Sequence, residues 1–382
     1  MHVVVVGGGI VGASAAYYLA SGGADVTLCE KSHVGAGATG AGGGIRSQFS
    51  TPVNVALSKE SISVWDSFEA TFGVDLNERQ HGYLFLARTE DTAAQLERDV
   101  ALQREYGFEN EFLQPEEAAS RCPGISTEPF VGASFSPGDR FVDVSLAVQA
   151  FVDAAESAGA TLSIGTDVTG IDLDRGERGR VTVRTDEGDV DADYVVNAAG
   201  AWAGEIAEMV GVELPVSPRL RRQLLVEPSR PFPIDLPLTM DLDTGAVFYP
   251  ENEEVMITSG PQETMPIVDP DQYRGDEPID WTIDVLESLG ELATYFDEDS
   301  RVRRTIEGVY AQTPDSNPII EETVPGFVNA VGFSGHGFMH APATGQLVSE
   351  IILDGEPSLV DISALGSDRF EASAPDGEKS FI

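Results

Sequence analysis

The apolar and polar positions of the first thirty residues follow the order strand, turn, helix, strand. His2–Val6 is an apolar, largely β-branched run, which predicts a buried central strand of a parallel sheet. The pattern over residues 10–20 is helical, and Gly22 with Gly23 ends it. Residues 24–30 predict the next strand. The N-terminal region therefore has a βαβ pattern.

The rest of the chain carries helical and strand patterns in two arrangements. Helical spacing recurs over residues 52–79, 91–106, 146–158, 283–296 and 343–353. Short apolar runs predict strands at residues 83–87, 161–164, 168–173, 181–185, 194–198, 247–249, 255–259 and 327–331. We predict the α/β class, α+β overall. A discontinuous Rossmann-like domain (residues 1–82, 140–218 and 300–382) receives an inserted, mainly antiparallel β domain (residues 83–139 and 219–299). The residues after Ser367 predict a frayed end.

The charge of the chain indicates its environment. The 382 residues include 64 acidic and 23 basic side chains, a net charge of −41, and lysine occurs only at Lys31, Lys59 and Lys379. We expect a halophilic protein, because the Debye length falls to ~3 Å in molar salt and self-repulsion is then screened. An anionic surface for a basic partner is the alternative, although the acids are spread along the whole chain. The charge argues against nucleic acid as a ligand.

Several classes of protein do not fit this sequence. No apolar stretch approaches the ~20 residues of a membrane span, and no basic leader precedes the first strand. Cys29 and Cys122 have neither a CxxC partner nor metal-ligand spacing, and the five histidines form no metal motif. We therefore expect a cytoplasmic protein without a membrane span, a disulfide framework or a metal.

A glycine-rich fingerprint lies between the first strand and the first helix. Gly7, Gly9 and Gly12 match G-x-G-x-x-G, in which the glycines allow a tight turn, close approach of a pyrophosphate and helix–strand packing. The N-terminus of the following helix favours phosphate. Glu30 ends the second strand about 20 residues later, where a carboxylate binds ribose. The combination predicts a dinucleotide site, whereas the glycines alone would fit a structural turn.

Three later segments are also rich in glycine and other small residues. Residues 40–46 form a second glycine loop that ends in Arg46, and a flexible linker is its alternative interpretation. Residues 197–202 close a strand with small residues, and residues 332–345 read as strand, glycine turn and helix. The helix N-terminus there could stabilise negative charge on a reduced flavin. The predicted cofactor-binding residues are Gly7, Gly9, Ile10, Val11, Gly12, Glu30, Lys31, Thr39, Gly42, Gly43, Gly44, Ile45, Val168, Ala199, Gly200, Trp202, Gly335, His336, Gly337, Phe338 and Met339.

Taken in order, these strings resemble the FAD-dependent oxidoreductases of the D-amino-acid oxidase superfamily, nearer its sarcosine, dimethylglycine and glycine oxidase and dehydrogenase branch. The strings are residues 7–12 with Glu30, GGGIRSQFS from Gly42, NAAGAW from Asn197, TPDSNPII from Thr313 and GFSGHGFMHAPATG from Gly332. The resemblance implies that residues 42–46 lie beside the flavin ring and residues 335–339 cover its pyrimidine edge. It also implies that the inserted sheet covers the substrate.

Two departures from that family pattern modify the expectation. Met339 stands where the monomeric sarcosine oxidases carry a lysine, and no lysine occurs between Lys59 and Lys379 to assist oxygen. A dehydrogenase that passes its electrons to an acceptor or partner subunit is therefore favoured over an oxidase. The C-terminal region also lacks the cysteine that links flavin covalently in that branch, so we expect noncovalent FAD.

The candidate catalytic residues are Arg46 and His336, and the candidate substrate-binding residues are Arg46, Tyr249 and Arg222. A guanidinium binds carboxylates through two parallel hydrogen bonds, and Arg221 adjoins Arg222 on the same predicted strand. A structural salt bridge is the alternative role for Arg46, and a core position is the alternative for Tyr249. His336 is expected to hydrogen-bond near the flavin or, alternatively, to act as a base.

The predicted activity is hydride transfer from the α-carbon of a small amine or amino acid to flavin N5. Three alternatives remain open at this stage: a 2-hydroxy-acid or polyol dehydrogenase on the same fold, a flavoprotein that acts as an assembly or partner subunit without turnover, and an NAD enzyme.

Overall fold

The computed structural model describes residues 1–37, 42–173, 180–251, 254–260, 265–273, 279–372 and 377–379. A six-stranded sheet forms the centre of the nucleotide-binding part. Its strands in spatial order are β18 (Ile319–Val324), β19 (Phe327–Val331), β12 (Tyr194–Asn197), β1 (His2–Val6), β2 (Asp25–Glu30) and β8 (Thr161–Ile164). All neighbours are parallel except the β18–β19 pair.

The alternating side chains of β1 are buried in two different layers. Val3 and Val5 pack against helices α1 (Ile10–Ser21) and α9 (Gly337–Leu353). Val4 and Val6 face a three-stranded antiparallel sheet of β9 (Val168–Leu173), β10 (Val181–Thr185) and β11 (Gly188–Ala192). Burial on both faces explains why β1 has no polar side chain after His2.

An eight-stranded sheet forms the second part of the molecule. Its spatial order is β17 (Arg301–Gln312), β13 (Ser217–Glu227), β16 (Glu254–Thr258), β15 (Val247–Glu251), β14 (Leu238–Asp241), β4 (Tyr83–Ala87), β6 (Gly132–Ser136) and β5 (Glu111–Leu113). One face packs on α5 (Pro115–Arg121) and α8 (Ile279–Leu292). The other face carries Tyr83, Leu225 and Tyr249 and is turned toward Phe141.

The remaining elements connect the two sheets. They are β3 (Gly43–Ile45) paired with β7 (Arg140–Val142), and the helices α2 (Pro52–Asp66), α3 (Phe68–Phe72), α4 (Glu90–Glu105), α6 (Val144–Ser157), α7 (Ala203–Glu208) and α10 (Arg369–Ala372). The predicted fold class is confirmed: a βαβ nucleotide-binding part is combined with a large, mainly antiparallel sheet.

Three local expectations differ from the structure. The helix predicted at 343–353 begins at Gly337, so that Pro342 lies inside α9. The helical pattern of 52–79 ends at Phe72. The end predicted to fray after Ser367 contains α10 and the buried Glu378, which is bonded to Ser50 and Thr51.

Strand β17 also bears on the predicted domain division. Residues 301–312 were assigned to the nucleotide-binding domain without a predicted strand, yet as β17 they pair with β13 in the eight-stranded sheet. The predicted division into a nucleotide-binding domain (residues 1–82, 140–218 and 300–382) and an inserted domain (residues 83–139 and 219–299) stays a proposal. To place β17 with the sheet it joins, the boundary at residue 300 would have to move beyond Gln312.

Candidate cofactor and substrate site

The first glycine turn is built for a ligand that approaches the backbone. The Gly7 N–H donates to the Cys29 carbonyl (2.9 Å) and so extends the pairing of β1 with β2, and the φ of 108° at Gly7 lets the chain turn away after the strand. A Cβ at Gly12 would lie 1.9 Å from the Gly7 carbonyl oxygen, so only glycine lets α1 start this close to β1. A Cβ at Gly9 would meet no heavy atom within 4 Å. The space above Gly9 is therefore open at the N-terminus of α1, which no side chain caps.

Glu30 lies beside this turn. Its two carboxylate oxygens accept hydrogen bonds from the backbone N–H groups of Gly8 and Ser32, both at 2.8 Å. These bonds fix an acid at the carboxyl end of β2, where the dinucleotide pattern requires one. Ile10 and Val11, also predicted to contact cofactor, occupy the first turn of α1.

Lys31 and Trp202 meet at the same end of the site. The Lys31 ammonium lies 3.9 Å from the centre of the Trp202 ring, and Asp271 accepts from both Lys31 (2.8 Å) and the indole N–H (3.0 Å). Asp271 belongs to the segment between β16 and α8, so this contact joins the inserted part to the nucleotide-binding part.

The end of β12 closes against the first turn, as its small residues predict. A Cβ at Gly7 would lie 2.5 Å from the Ala198 carbonyl oxygen, and Ala199 and Gly200 follow in a turn at the same strand end. Val168, by contrast, is a buried residue of β9 that packs in a cluster with Cys29.

The second glycine loop lies under aromatic side chains from the large sheet. A Cβ at Gly42 would be 3.1 Å from the Tyr249 hydroxyl, and one at Gly44 would be 2.4 Å from the Tyr83 hydroxyl. A Cβ at Gly43 would lie 2.1 Å from the carbonyl oxygen of Val142 in β7. Side chains are therefore excluded at residues 42–44. Thr39, which was also predicted to contact the cofactor, lies outside the described residues.

Arg46 joins the second loop to the third glycine turn. Its guanidinium is fully buried, donates to the Gln48 carbonyl (2.6 Å) and bonds to Nε2 of His336 (2.8 Å). Burial lowers the pKa of His336 well below its usual value, and the charges near it, from Arg46 first, act in the same direction. His336 is therefore a neutral imidazole whose Nε2 accepts from the guanidinium. The two candidate catalytic residues are brought together, as a pair.

The third turn carries backbone geometry that suits glycine. Gly335 has φ 90°, and a Cβ there would lie 2.7 Å from the Tyr310 ring. Helix α9 starts at Gly337 with no side-chain cap. Phe338 stacks on Trp65 with ring centres 5.0 Å apart, and the Trp65 indole donates to the Met339 carbonyl (3.0 Å). These contacts fix the direction of the α9 N-terminus.

The three turns converge. Ile10 from the first turn, Ile45 from the second and Phe338 from the third pack in one hydrophobic cluster. Helix α1 also crosses α9 closely, because a Cβ at Gly345 would lie 2.3 Å from Ser14 Oγ. The three separated strings are thus linked through one hydrophobic cluster, and the cofactor site predicted along them stays a prediction.

Asp139 supports the second loop from behind and was missed by sequence reasoning. Its carboxylate accepts from the Ser47 N–H (2.8 Å), the Ser47 hydroxyl (2.9 Å) and the Ser136 hydroxyl (2.7 Å). Burial raises the pKa of Asp139 to about 6, although these hydrogen bonds and Arg46 oppose the shift. In sequence, Asp139 follows Pro137 and Gly138 and reads as a turn former, so no local signal distinguishes it.

Two of the three predicted substrate residues, Tyr249 and Arg222, lie in the large sheet. Tyr249 is buried and stacks on Phe141 with ring centres 4.7 Å apart. Burial raises the pKa of Tyr249, so its hydroxyl stays protonated. Arg222 forms an ion pair with Glu307 at 2.8 Å, whereas its neighbour Arg221 is buried on the other face of β13.

Two further findings concern metals and membranes. Among the described residues no group of three or more His, Cys, Asp or Glu side chains is placed to hold a metal ion. Within the same part of the chain, every helix is too short or too polar to cross a bilayer.

The comparisons with known proteins indicate one family, whose model covers most of the chain. The family model described as FAD dependent oxidoreductase (DAO) matches residues 2–351. The chain is 28% identical to human mitochondrial dimethylglycine dehydrogenase over 97% of its own length, but it spans only 44% of that enzyme. It is 32% identical to FAD-dependent oxidoreductase domain-containing protein 1 of Bos taurus, covering 96% of this chain and 84% of the other. The crystal structure of L-proline dehydrogenase from P. horikoshii superimposes with a TM-score of 0.86 at 30% identity, covering 97% of both chains.

Proposed function

The chain belongs to the family of FAD dependent oxidoreductases, and from this premise we propose that it oxidises the carbon–nitrogen bond of a small amine or amino acid, of the sarcosine, glycine, proline or D-amino-acid kind. One observation carries the proposal: Ile45 belongs to a buried hydrophobic cluster against which Ile10 and Phe338 also pack, so that one residue from each glycine turn meets in the same cluster. An extended dinucleotide and its redox ring would lie along these turns. The relatives that act on dimethylglycine and L-proline support the class of substrate.

The residues present fit FAD. The open space over Gly9 and the uncapped N-terminus of α1 would hold the pyrophosphate, and Glu30 would hold the ribose. The loop at residues 42–45 would lie against the ring. We expect noncovalent binding. When bound, FAD supplies the acceptor for the hydride from the substrate α-carbon.

The chain's own residues provide electrostatics and exclusion of water. Arg46 and the N-terminus of α9 would supply positive potential to the negative charge of a reduced flavin bound along the glycine turns. His336, held neutral by burial, orients the Arg46 guanidinium instead of adding a second charge. The buried aromatic rings of Tyr83, Phe141 and Tyr249 keep the cleft dry.

We propose a dehydrogenase rather than an oxidase. Met339 is buried at the start of α9, where the related sarcosine oxidases have a lysine, and the sequence has no lysine between Lys59 and Lys379. The electrons would then leave through a separate acceptor, either a small carrier or a partner subunit. We further propose that the protein works in a cytoplasm of high salt, which its charge of −41 supports.

The proposal can be tested by anaerobic titration of the FAD-loaded protein in molar KCl. Sarcosine, dimethylglycine, proline, glycine, D-amino acids and 2-hydroxy acids are added in turn while the flavin absorbance is followed. We expect one of the amines to bleach the flavin stoichiometrically. After air is admitted, we expect slow return of the colour, and a fast return with an artificial acceptor such as ferricenium.

Each contrary result points to another function. Bleaching by a hydroxy acid but by no amine would replace the proposal with a hydroxy-acid dehydrogenase. A stable flavoprotein that no donor reduces would indicate a partner subunit without turnover. Fast reoxidation by air would leave the substrate class intact and overturn the dehydrogenase assignment.

A further inference from the structure

Arg221 is a buried cation without an acidic partner among the residues that the structure describes. Arg221 is only 7% exposed, and its Nε finds no hydrogen-bond partner among the described residues. Within the described ranges no carboxylate lies at ion-pair distance from it. By contrast, the similarly buried Arg140 pairs with Asp66 at 2.5 Å and with Glu78 at 3.0 Å. A buried guanidinium without an anion is unfavourable, and such groups cluster at functional sites.

The direction of Arg221 follows from the strand. Residues 221, 223 and 225 of β13 share one face, and Leu225 of this face packs with Tyr249 and Met256. Burial raises the pKa of Tyr249, and Arg221 lies close enough for its charge to oppose that rise, while Gln223 is bonded to the Tyr249 hydroxyl. Arg221 is therefore turned toward the glycine loop, whereas Arg222 points to the opposite face and is already paired with Glu307.

Free space lies next to Arg221. The residue directly opposite it on β17 is Gly308, where a Cβ would meet nothing within 4 Å. Tyr310, two residues along the same face, contacts Gly335 of the third turn. On the other side, the Tyr249 hydroxyl contacts Gly42 of the second loop. The space is thus bounded by Arg221 and by two tyrosines that reach the predicted flavin position.

We propose that Arg221 binds the carboxylate of the substrate, so that the chain acts on amino acids and not on amines that lack an acid group. This inference rests on the proposed function. Arg46 does not compete for the role, because its Nη atoms already bond His336 and the Gln48 carbonyl. The surrounding acidic surface repels free anions, whereas an amino acid enters as a zwitterion and meets the cation only inside.

The test compares matched ligands and matched variants. The FAD-loaded protein in molar KCl is titrated anaerobically with sarcosine and sarcosinamide and with proline and prolinamide. The variants are Arg221→Gln, Arg221→Lys and, as a control for the loss of one charge, the exposed Arg303→Gln on β17. Flavin content and Tm are measured first. Both are expected to be retained in Arg221→Gln, since it replaces an unpaired buried charge.

We expect Arg221→Gln to raise the half-saturating concentration of the acid substrate about 100-fold, the range found when one partner of a buried charge pair is lost. Its preference for the acid over the amide should disappear. Arg221→Lys should keep part of that preference, and Arg303→Gln all of it. An unchanged preference for the acid in Arg221→Gln would overturn the assignment. So would a further variant, Arg222→Gln, if it lost the preference while Arg221→Gln kept it.

Acetate and acetamide separate this inference from the proposed function, because they cannot be oxidised. If acetate perturbs the flavin spectrum of the unmodified protein but not of Arg221→Gln, the anion site stands even where no amine reduces the flavin. If amines reduce the flavin while acetate and acetamide act alike on both proteins, the proposed function stands and the carboxylate site is refuted.

Discussion

A methyl group added at Gly9 and one added at Gly12 would meet opposite surroundings, although the two glycines are three residues apart. The first would enter open space, and the second would collide with the Gly7 carbonyl. Gly9 has φ −76°, which any residue adopts. Its lack of a side chain is therefore needed only when a ligand is present, whereas Gly12 is needed for the fold itself.

This difference gives a prediction for the pair of variants. Gly9→Ala should leave the Tm of the flavin-free protein nearly unchanged and weaken FAD binding at least about 10-fold, because the methyl group occupies the pyrophosphate position. Gly12→Ala should lower the free energy of unfolding by about 1–3 kcal/mol through overpacking. Calorimetry of the apoprotein and flavin fluorescence titration measure the two quantities. Equal loss of stability in both variants would contradict the distinction.

At the residue scale, sequence reasoning located the glycines but not the roles of the arginines. Arg46 and His336 were named from their strings, and the structure brings them together at 2.8 Å. The difference between Arg221 and Arg222 could not be seen, because the strand period fixes only that the two point to opposite faces. Which of the two faces is turned toward the glycine loop depends on the pairing of β13 with β17, two strands that lie far apart in the sequence.

Among the elements, helix α2 depends on a segment more than 300 residues away. The Glu378 carboxylate accepts hydrogen bonds from the N–H groups of Ser50 (2.8 Å) and Thr51 (3.2 Å) and from Asn54 Nδ2 (3.0 Å). It thus places a negative charge at the N-terminus of α2. The same helix carries Ser58, whose hydroxyl donates to the Arg46 carbonyl.

We predict that Glu378→Ala lowers the free energy of unfolding by about 1–2 kcal/mol, since α2 loses a charged capping group and leaves buried donors unpaired. Urea denaturation in molar KCl measures the change. The control is Glu371→Ala, which removes an exposed acid of α10. If both variants unfold at the same urea concentration as the unmodified protein, the cap does not contribute to stability.

Local pattern predicted most elements but failed where partners are distant. Five strands of the six-stranded sheet were predicted from short, mainly apolar runs, whereas β18 was not predicted, because IIEETV places three polar residues in succession. Strand β17 was not predicted, since Arg301–Gln312 mixes charged and apolar positions without regular alternation. The segment around Glu378 likewise reads as polar, and only its contacts with Ser50 and Thr51 bury it.

The whole molecule carries far more negative charge than its ion pairs neutralise. The excess is 41 charges in 382 residues, and the acids lie along the whole chain. Exposed like charges within a Debye length of each other destabilise the compact state in dilute buffer. Salt should therefore act on the stability of the whole fold, and not on one site.

We predict that raising KCl from 0.1 M to 2 M increases Tm by on the order of 10 °C, a gain of several kcal/mol for a chain of this size. Differential scanning fluorimetry with KCl, and with sucrose as an uncharged control, measures the effect. The increase should exceed that of sucrose at equal osmolality. A Tm that is constant or falls with KCl would refute the halophilic proposal.

The order of strands also constrains how the protein is made. β1 is synthesised before β12 and β19, which complete its side of the sheet, and α9 can cover α1 only once the chain has been made as far as residue 353. During synthesis the glycine turn at residues 7–12 therefore exists long before the loops that face it. We expect stable flavin binding only after α9 has been made and has packed against α1.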